Sequence, residues 1–330
     1  MDTVTAPVEA PIVQPRTAPW LKKGKIVTGA MTCAEAIVKG GLDYTVEKAP
    51  MFAQYMEANI PQMAPIKNKV AMMRTDNRAV LGFVGPEYHI IQNLEAFNFF
   101  DSILASNEAA IEVVGMQGLG EKIYILARMP QDTIVKNDIV HNYILLVTAH
   151  DGSSTIRVCL TPMRPVCFNA LSLALSRSEV QIKIHHRMNA DAKLNAAKDV
   201  LGLVKRQQKM TEIYFNSMSE QLITPPKLEG FLDSVFPVKD ATARGASRTV
   251  NIRNEVVRLF NEGAGNKGQS LWDLYNGATE YCDHFRVIKN GGDRFESAIL
   301  GSAFALKQRI FQSAISMLPV QDIESRLLVA

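Results

Sequence analysis

The fold is decided by residues 110–160, which read AIEVVGMQGLGEKIYILARMPQDTIVKNDIVHNYILLVTAHDGSSTIRVCL. The apolar and alternating segments predict strands over residues 110–116, 121–129, 141–149 and 154–160. Gly118-Leu-Gly120 fits the first turn, and Asp151-Gly152 is a strong signal for the last. Local connections of this kind join antiparallel neighbours, so we predict a four-stranded meander without parallel crossovers.

Before this meander the sequence is less regular. A hairpin is predicted from Val70–Thr75 and Ala79–Val84, preceded by a short strand over Leu42–Lys48. Residues 50–66, rich in Met, Pro and polar side chains, are predicted to form a loop. Thr32 and Glu35 have capping-box spacing, and Asn93 is a good N-cap for a helix with buried aromatic residues.

After the meander, helical periodicity dominates. We predict a short helix over Cys167–Leu175, a strand over Val180–His185 and one long helix over residues 190–222, stopped by Pro225-Pro226. Further helices are predicted over residues 228–235, 250–262, 270–282 and 296–317. The fold class is therefore α+β, an antiparallel meander with packed helices followed by a mainly helical half. We divide the chain into a disordered Pro-rich tail (1–19), a β-rich α+β core (20–189) and a helical region (190–330).

Positive charge is concentrated in one segment of this 330-residue chain. The total formal charge is only +3. Residues 1–150 carry −2, residues 151–210 carry +6 and residues 211–330 carry −1. Clustered Lys and Arg bind phosphate backbones by releasing counterions. We predict nucleic-acid contacts from Arg157, Arg164, Arg177, Lys183, Arg187, Lys193, Lys198, Lys205, Arg206 and Lys209. The alternative is a solvated helix face whose charges are balanced by acidic neighbours.

Other features suggest no cofactor or metal. Four scattered cysteines without a C-x-x-C pair indicate reduced thiols rather than disulfides or a zinc site. The chain has no P-loop, no membrane-length apolar run and no secretory signal, so we expect a cytoplasmic protein. Aromatic residues recur at helical spacing at Trp272, Tyr275 and Tyr281, which is more typical of core or subunit contact than of base stacking.

Several motifs resemble one family. They are AVLGFVG (79–85) with Gln92-Asn93, HDGS (150–153), RPVCFN (164–169) and LWDLYN (271–276). In this order, from about Trp20 to Arg309, they are similar to the phage- and plasmid-borne proteins catalogued as domain of unknown function 932. One departure is Ala170 after Asn169, where that family more often has Thr. The order of elements also resembles, in topology alone, the core of single-strand annealing recombinases.

Three functional hypotheses follow. The first is a non-catalytic, homo-oligomeric protein of a phage or plasmid that binds single-stranded DNA or RNA, with annealing in recombination as one role. The second is a metal-dependent enzyme acting on nucleotides or nucleic acids through His150, Asp151 and His185 or His186. The third is a protein-interaction or virion component, for which the uneven charge is incidental.

Overall fold

The predicted meander forms the centre of a larger antiparallel sheet in the computed structural model. The structure describes residues 24–152, 156–164, 167–168, 190–238, 243–288, 297–298, 301–319, 323 and 326. The strands of the main sheet are β1 (Lys25–Ile26), β5 (Ala110–Gln117), β6 (Lys122–Arg128), β7 (Thr133–Val135), β8 (Asp138–Ala149), β9 (Arg157–Arg164) and β10 (Cys167–Phe168). They follow the order β1-β5-β6-β8-β9-β10, and β7 pairs with β8. The predicted α+β class and the meander are confirmed.

Two details of this sheet differ from the sequence prediction. Strand β9 continues through Pro162 to Arg164, four residues beyond its predicted end. Strand β7 was not predicted because it is only three residues long, too short for a periodic signal. The predicted helix over Cys167–Leu175 is contradicted at its start, where Cys167 and Phe168 pair with β9. Its remainder lies outside the described residues, as do the Pro-rich tail and the strand over Val180–His185.

A second sheet contains β2 (Val46–Glu57), β3 (Ile60–Arg74) and β4 (Val80–Val84), in that order. The hairpin of β3 and β4 was predicted, but the loop prediction for residues 50–66 is wrong. Those residues form most of a long β2–β3 hairpin that turns at Ala58-Asn59. The alternation of polar and apolar residues that marks a half-buried strand is missing here, because apolar side chains lie on both faces of the hairpin.

The helices follow the predicted order. They are α1 (Cys33–Gly40), α2 (Asp101–Ala105), α3 (Ala190–Glu220), α4 (Pro225–Val235), α5 (Ala243–Glu262), α6 (Leu271–Glu280) and α7 (Ser302–Ser316). The Thr32–Glu35 capping box of α1 is present. Helix α3 ends at Glu220, before Pro225 and Pro226, which instead occupy the first turn of α4, where a missing amide hydrogen costs nothing.

The helix predicted to begin at Asn93 is shorter than expected. A 3-10 turn at Asn98–Phe100 leads into α2, and Asn93 caps neither. Its buried amide nitrogen donates to the carbonyl oxygen of Leu42 at 2.6 Å. The aromatic residues Phe97 and Phe100 are buried as their spacing suggested, so the pattern identified the core face but not the helix boundary.

Helix α3 is shared by two hydrophobic cores. Its first half contributes Val200 and Val204 to the core beneath the main sheet. Its second half contributes Phe215 and Met218 to the core formed by α4, α5, α6 and α7. The side chain of Gln208 also donates to the carbonyl oxygen of Gln131 at 3.2 Å. The single helix therefore fixes the β-rich part and the helical part of the chain relative to each other.

The helical core contains a buried ion pair. Lys307 of α7 donates from Nζ to Oδ1 of Asp283 at 2.8 Å, and both side chains are almost fully buried. Asp283 lies in a π-helical turn, Tyr281–Phe285, that continues α6. Such a pair requires both partners, since each charge would be costly to bury alone.

We predict that Lys307→Met lowers the free energy of unfolding by about 3–5 kcal/mol, because it removes the ammonium group that pairs with the buried Asp283 carboxylate. The double variant Lys307→Met/Asp283→Leu should lose less, since it buries no charge. Denaturant titration of both variants and the wild type measures this. A single variant that is no less stable than the double variant contradicts the prediction.

Candidate nucleic-acid interface

Four of the predicted basic residues lie together on the exposed side of α3. Lys198, Lys205 and Lys209 are exposed, and their spacing places them within about 40° of one another around the helix axis. They extend over about 17 Å along the helix. Arg206 is exposed beside them. We call these four residues the lysine stripe.

The lysine stripe faces water because the opposite face of α3 is buried. Ala197, Val200 and Val204 lie on that opposite face, in the core beneath the main sheet. The same packing that anchors the helix therefore orients the lysines outward. The stripe is part of the rigid framework and does not depend on a loop.

Glu108 is an acidic neighbour of the stripe. The Nζ of Lys205 is 2.7 Å from Oε1 of Glu108, and both side chains are partly exposed. An exposed pair of this kind contributes little to stability. A phosphate group can therefore replace Glu108 as the partner of Lys205 at small cost.

Arg164 has a different role from the one its charge suggested. It is only 2% exposed, and its Nη2 lies 2.8 Å from Oδ2 of Asp138. The same Nη2 donates to the carbonyl oxygen of Ala264, in the loop between α5 and α6, at 3.1 Å. Trp272 Nε1 also donates to Asp138 Oδ2, at 2.8 Å. Arg164 thus links the meander to the helical core, and its guanidinium is not available at the surface for a phosphate.

Arg157 is exposed but lies away from the stripe. Along β9 the residues Val158 and Leu160 face the core that contains α3, whereas Cys159 and Met163 pack on the other side of the sheet. Strand alternation places Arg157 on the side of Cys159. Of the other predicted contacts, Arg177, Lys183 and Arg187 lie outside the described residues, and the side chain of Lys193 is not described.

His150, the centre of the enzymatic hypothesis, is part of the protein interior. Its ring is 1% exposed, and its Nε2 is 2.7 Å from Oδ1 of Asn93. Burial lowers the pKa of His150 to about 4, against a small opposing effect of Asp151. Asp151 lies 3.4 Å from Nζ of Lys122. These contacts give both residues structural roles, and no group of three or more metal-ligating side chains occurs among the described residues.

The remaining features of the described residues do not extend the basic surface. A cleft of about 660 Å³ between α1, α2 and β5 is lined by the carboxylates of Glu35, Asp101 and Glu112, which repel phosphate.

Trp272, Tyr275 and Tyr281 are buried in the helical core. They are therefore core residues in the structure and do not form a stacking surface for bases.

The family model for domain of unknown function 932 matches residues 80–300, about two thirds of the chain. This chain belongs to that family. The matched segment of this DUF932 protein contains the lysine stripe and the Arg164–Asp138–Trp272 contacts. No curated protein and no solved structure matches the chain. Within the described part of the chain, no helix has both the length and the apolar character needed to cross a membrane.

The main surface feature that the sequence did not predict is the exposed part of the β2–β3 hairpin. Phe52, Met56 and Met63 have more than half of their surface exposed there. The only available signal was the near absence of charge between residues 49 and 66, where Glu57 is the single charged residue. Three prolines in the same segment instead favoured a loop.

The buried state of His150 predicts a specific pH dependence. Its folded pKa of about 4 lies below the ordinary value of 6.5, so the unfolded chain binds the proton more readily between these pH values. The contribution of His150 to the free energy of unfolding is therefore fully present above about pH 6.5, and it is lost as the pH falls toward the folded pKa. We predict that protonation of this residue lowers the free energy of unfolding by about 2 kcal/mol between pH 7.5 and pH 5.

Urea unfolding of the wild type and His150→Gln at both pH values tests this. The variant should lose less stability on acidification than the wild type. His89→Gln, which changes an exposed histidine, serves as the control and should retain the wild-type difference. Equal pH dependence in His150→Gln and the wild type would show that His150 is not the responsible group.

Proposed function

We propose that this protein binds single-stranded nucleic acid along the lysine stripe of α3 and acts as a homo-oligomer, without catalysing a reaction. The observation that carries the proposal is the alignment of Lys198, Lys205 and Lys209 on the exposed face of a helix anchored to both cores. A row of cations on a rigid element suits a phosphate backbone, because binding requires charge along a line and no particular base.

The charge distribution supports the same function. Residues 151–210 carry +6, whereas the regions on either side are slightly acidic. Arg164 belongs to this segment in sequence but is paired with Asp138 in the interior, so it is not part of the proposed contact surface. The phage or plasmid origin and a role in annealing are part of the proposal and rest on the sequence resemblances alone.

The enzymatic alternative has less support. It requires His150 and Asp151 to act on a ligand, and His150 is buried with Nε2 bonded to Asn93. Its other candidates, His185 and His186, lie outside the described residues. The protein-interaction alternative is favoured by one observation, the exposed apolar hairpin, and does not conflict with nucleic-acid binding.

We predict that Lys198→Gln/Lys205→Gln/Lys209→Gln weakens binding to a mixed-sequence single-stranded oligonucleotide by at least about tenfold at low salt. Loss of three phosphate contacts should reduce the slope of log K against log salt concentration by about 2. Fluorescence anisotropy across a salt series, with DNA and with RNA, gives both quantities.

A matched control removes three exposed lysines from other helices and loops: Lys39→Gln/Lys227→Gln/Lys267→Gln. This variant has the same net charge change and should retain most of the affinity and slope. Equal losses in the two variants would mean that only total charge matters. A wild-type protein that binds neither oligonucleotide at low salt would refute the function.

A further inference from the structure

The distal half of the β2–β3 hairpin, residues 51–66, extends as a two-stranded arm. Nearly every residue from Phe52 to Pro61 is exposed, and the exposed fractions of Phe52, Met56 and Met63 are 51%, 61% and 60%. An isolated two-stranded hairpin is at best marginally stable in water. The arm carries one charge, the negative Glu57, which makes it unsuitable for binding phosphate.

The two edges of the arm differ in their capacity to pair. Ala58 and Asn59 both have positive φ, which is the geometry of a two-residue type I′ turn closed by the hydrogen-bonded pair Glu57 and Ile60. Hydrogen-bonded and non-hydrogen-bonded pairs then alternate along the arm. Pro61 and Pro65 consequently lie at non-hydrogen-bonded positions of β3, where an amide would face outward.

Those prolines block the β3 edge against strand addition, since proline has no amide hydrogen. The non-hydrogen-bonded positions of β2 are Phe52, Gln54 and Met56, and the backbone N–H and C=O groups of these residues point outward from the hairpin. Strand β2 is also the outermost strand of its sheet. The arm therefore has one open edge and one closed edge.

We propose that the open β2 edge pairs in antiparallel fashion with the β2 edge of a second copy of this chain, about a two-fold axis at Gln54. In this register Gln54 faces Gln54 of the other copy, and Phe52 faces Met56. All three outward-facing positions are then hydrogen-bonded, giving six backbone hydrogen bonds. Pairing about a two-fold axis at Phe52 or at Met56 would use fewer of these three outward-facing positions.

Side chains also favour this register. It forms two Phe–Met contacts, which are favourable between an aromatic ring and a thioether, and a Gln–Gln contact at the axis. Glu57 faces Met51 of the other copy, and the two Glu57 carboxylates lie about 20 Å apart, beyond effective repulsion at physiological salt. A symmetric, self-complementary contact of this kind closes a dimer.

The size of the contact sets the expected affinity. Pairing of two seven-residue edges with their side chains buries on the order of 1,000 Å², the lower limit for a specific interface. The dimer should therefore dissociate in the micromolar range. The oligomeric part of the proposed function rests on this contact, whereas the lysine stripe does not involve the arm.

Sedimentation without nucleic acid tests the open edge. At tens of micromolar, the wild type should be dimeric or larger, and Gln54→Pro should have half that mass, because proline closes this edge without removing a hydrogen bond within the arm. Gln54→Thr, which keeps the amide hydrogen, should remain associated. A monomeric wild type overturns the proposal, as does unchanged association of Gln54→Pro. A monomeric wild type that floats with net-neutral phosphatidylcholine vesicles, which do not attract the lysine stripe electrostatically, would identify lipid as the partner of the arm instead.

Cysteine cross-linking tests the register. Hydrogen-bonded antiparallel partners have Cα atoms about 5.5 Å apart, within the range of a disulfide. Gln54→Cys should form a covalent dimer on mild oxidation, whereas Gln62→Cys, on the other strand of the arm, should not. The wild type measures the background from the native cysteines. Equal cross-linking of both variants overturns the two-fold register. Oligonucleotide binding by Gln54→Pro distinguishes the two proposals. A monomeric variant that still binds the oligonucleotide is consistent with nucleic-acid binding by the lysine stripe and with dimerisation through the arm.

Discussion

The packing of one face of α3 against two cores is the constraint on which the rest of the structure depends. Val200 and Val204 hold the helix beneath the main sheet, and Phe215 and Met218 hold it within the helical core. Because that face is fixed by apolar burial, the polar face has only one direction in which to point. The alignment of Lys198, Lys205 and Lys209 toward water is thus a consequence of core packing.

A second link between the two parts of the chain is electrostatic. Arg164 at the end of β9 meets Asp138 at the start of β8, and Trp272 of α6 donates to the same carboxylate. Gly265, with φ of 77°, passes so close that a Cβ atom there would lie 2.7 Å from Nη2 of Arg164. The RPVCFN and LWDLYN motifs that carry the family resemblance therefore meet in space through Arg164 and Trp272. The arm, by contrast, precedes the matched segment of residues 80–300.

The parts of the fold that local pattern determines were predictable. The meander consists of apolar strands joined by local connections, and only the three-residue β7 lies in sequence between two paired strands, β6 and β8. Helix α3 is long enough for its periodicity to be unambiguous. The arm could not be recognised in this way, because its exposed apolar faces lack the alternation produced by one-sided burial, and Pro50, Pro61 and Pro65 are typical of loops. The role of Arg164 depends on Ala264, 100 residues away, which no local pattern reports.

Lysine footprinting measures directly whether single-stranded nucleic acid lies along α3, as we propose. The protein is acetylated with and without a single-stranded oligonucleotide, and modification is quantified at each lysine by mass spectrometry. We expect Lys198, Lys205 and Lys209 to become protected, whereas Lys227 and Lys267 should remain as reactive as without the oligonucleotide. Protection confined to lysines outside α3, or none at saturating oligonucleotide, would contradict this expectation.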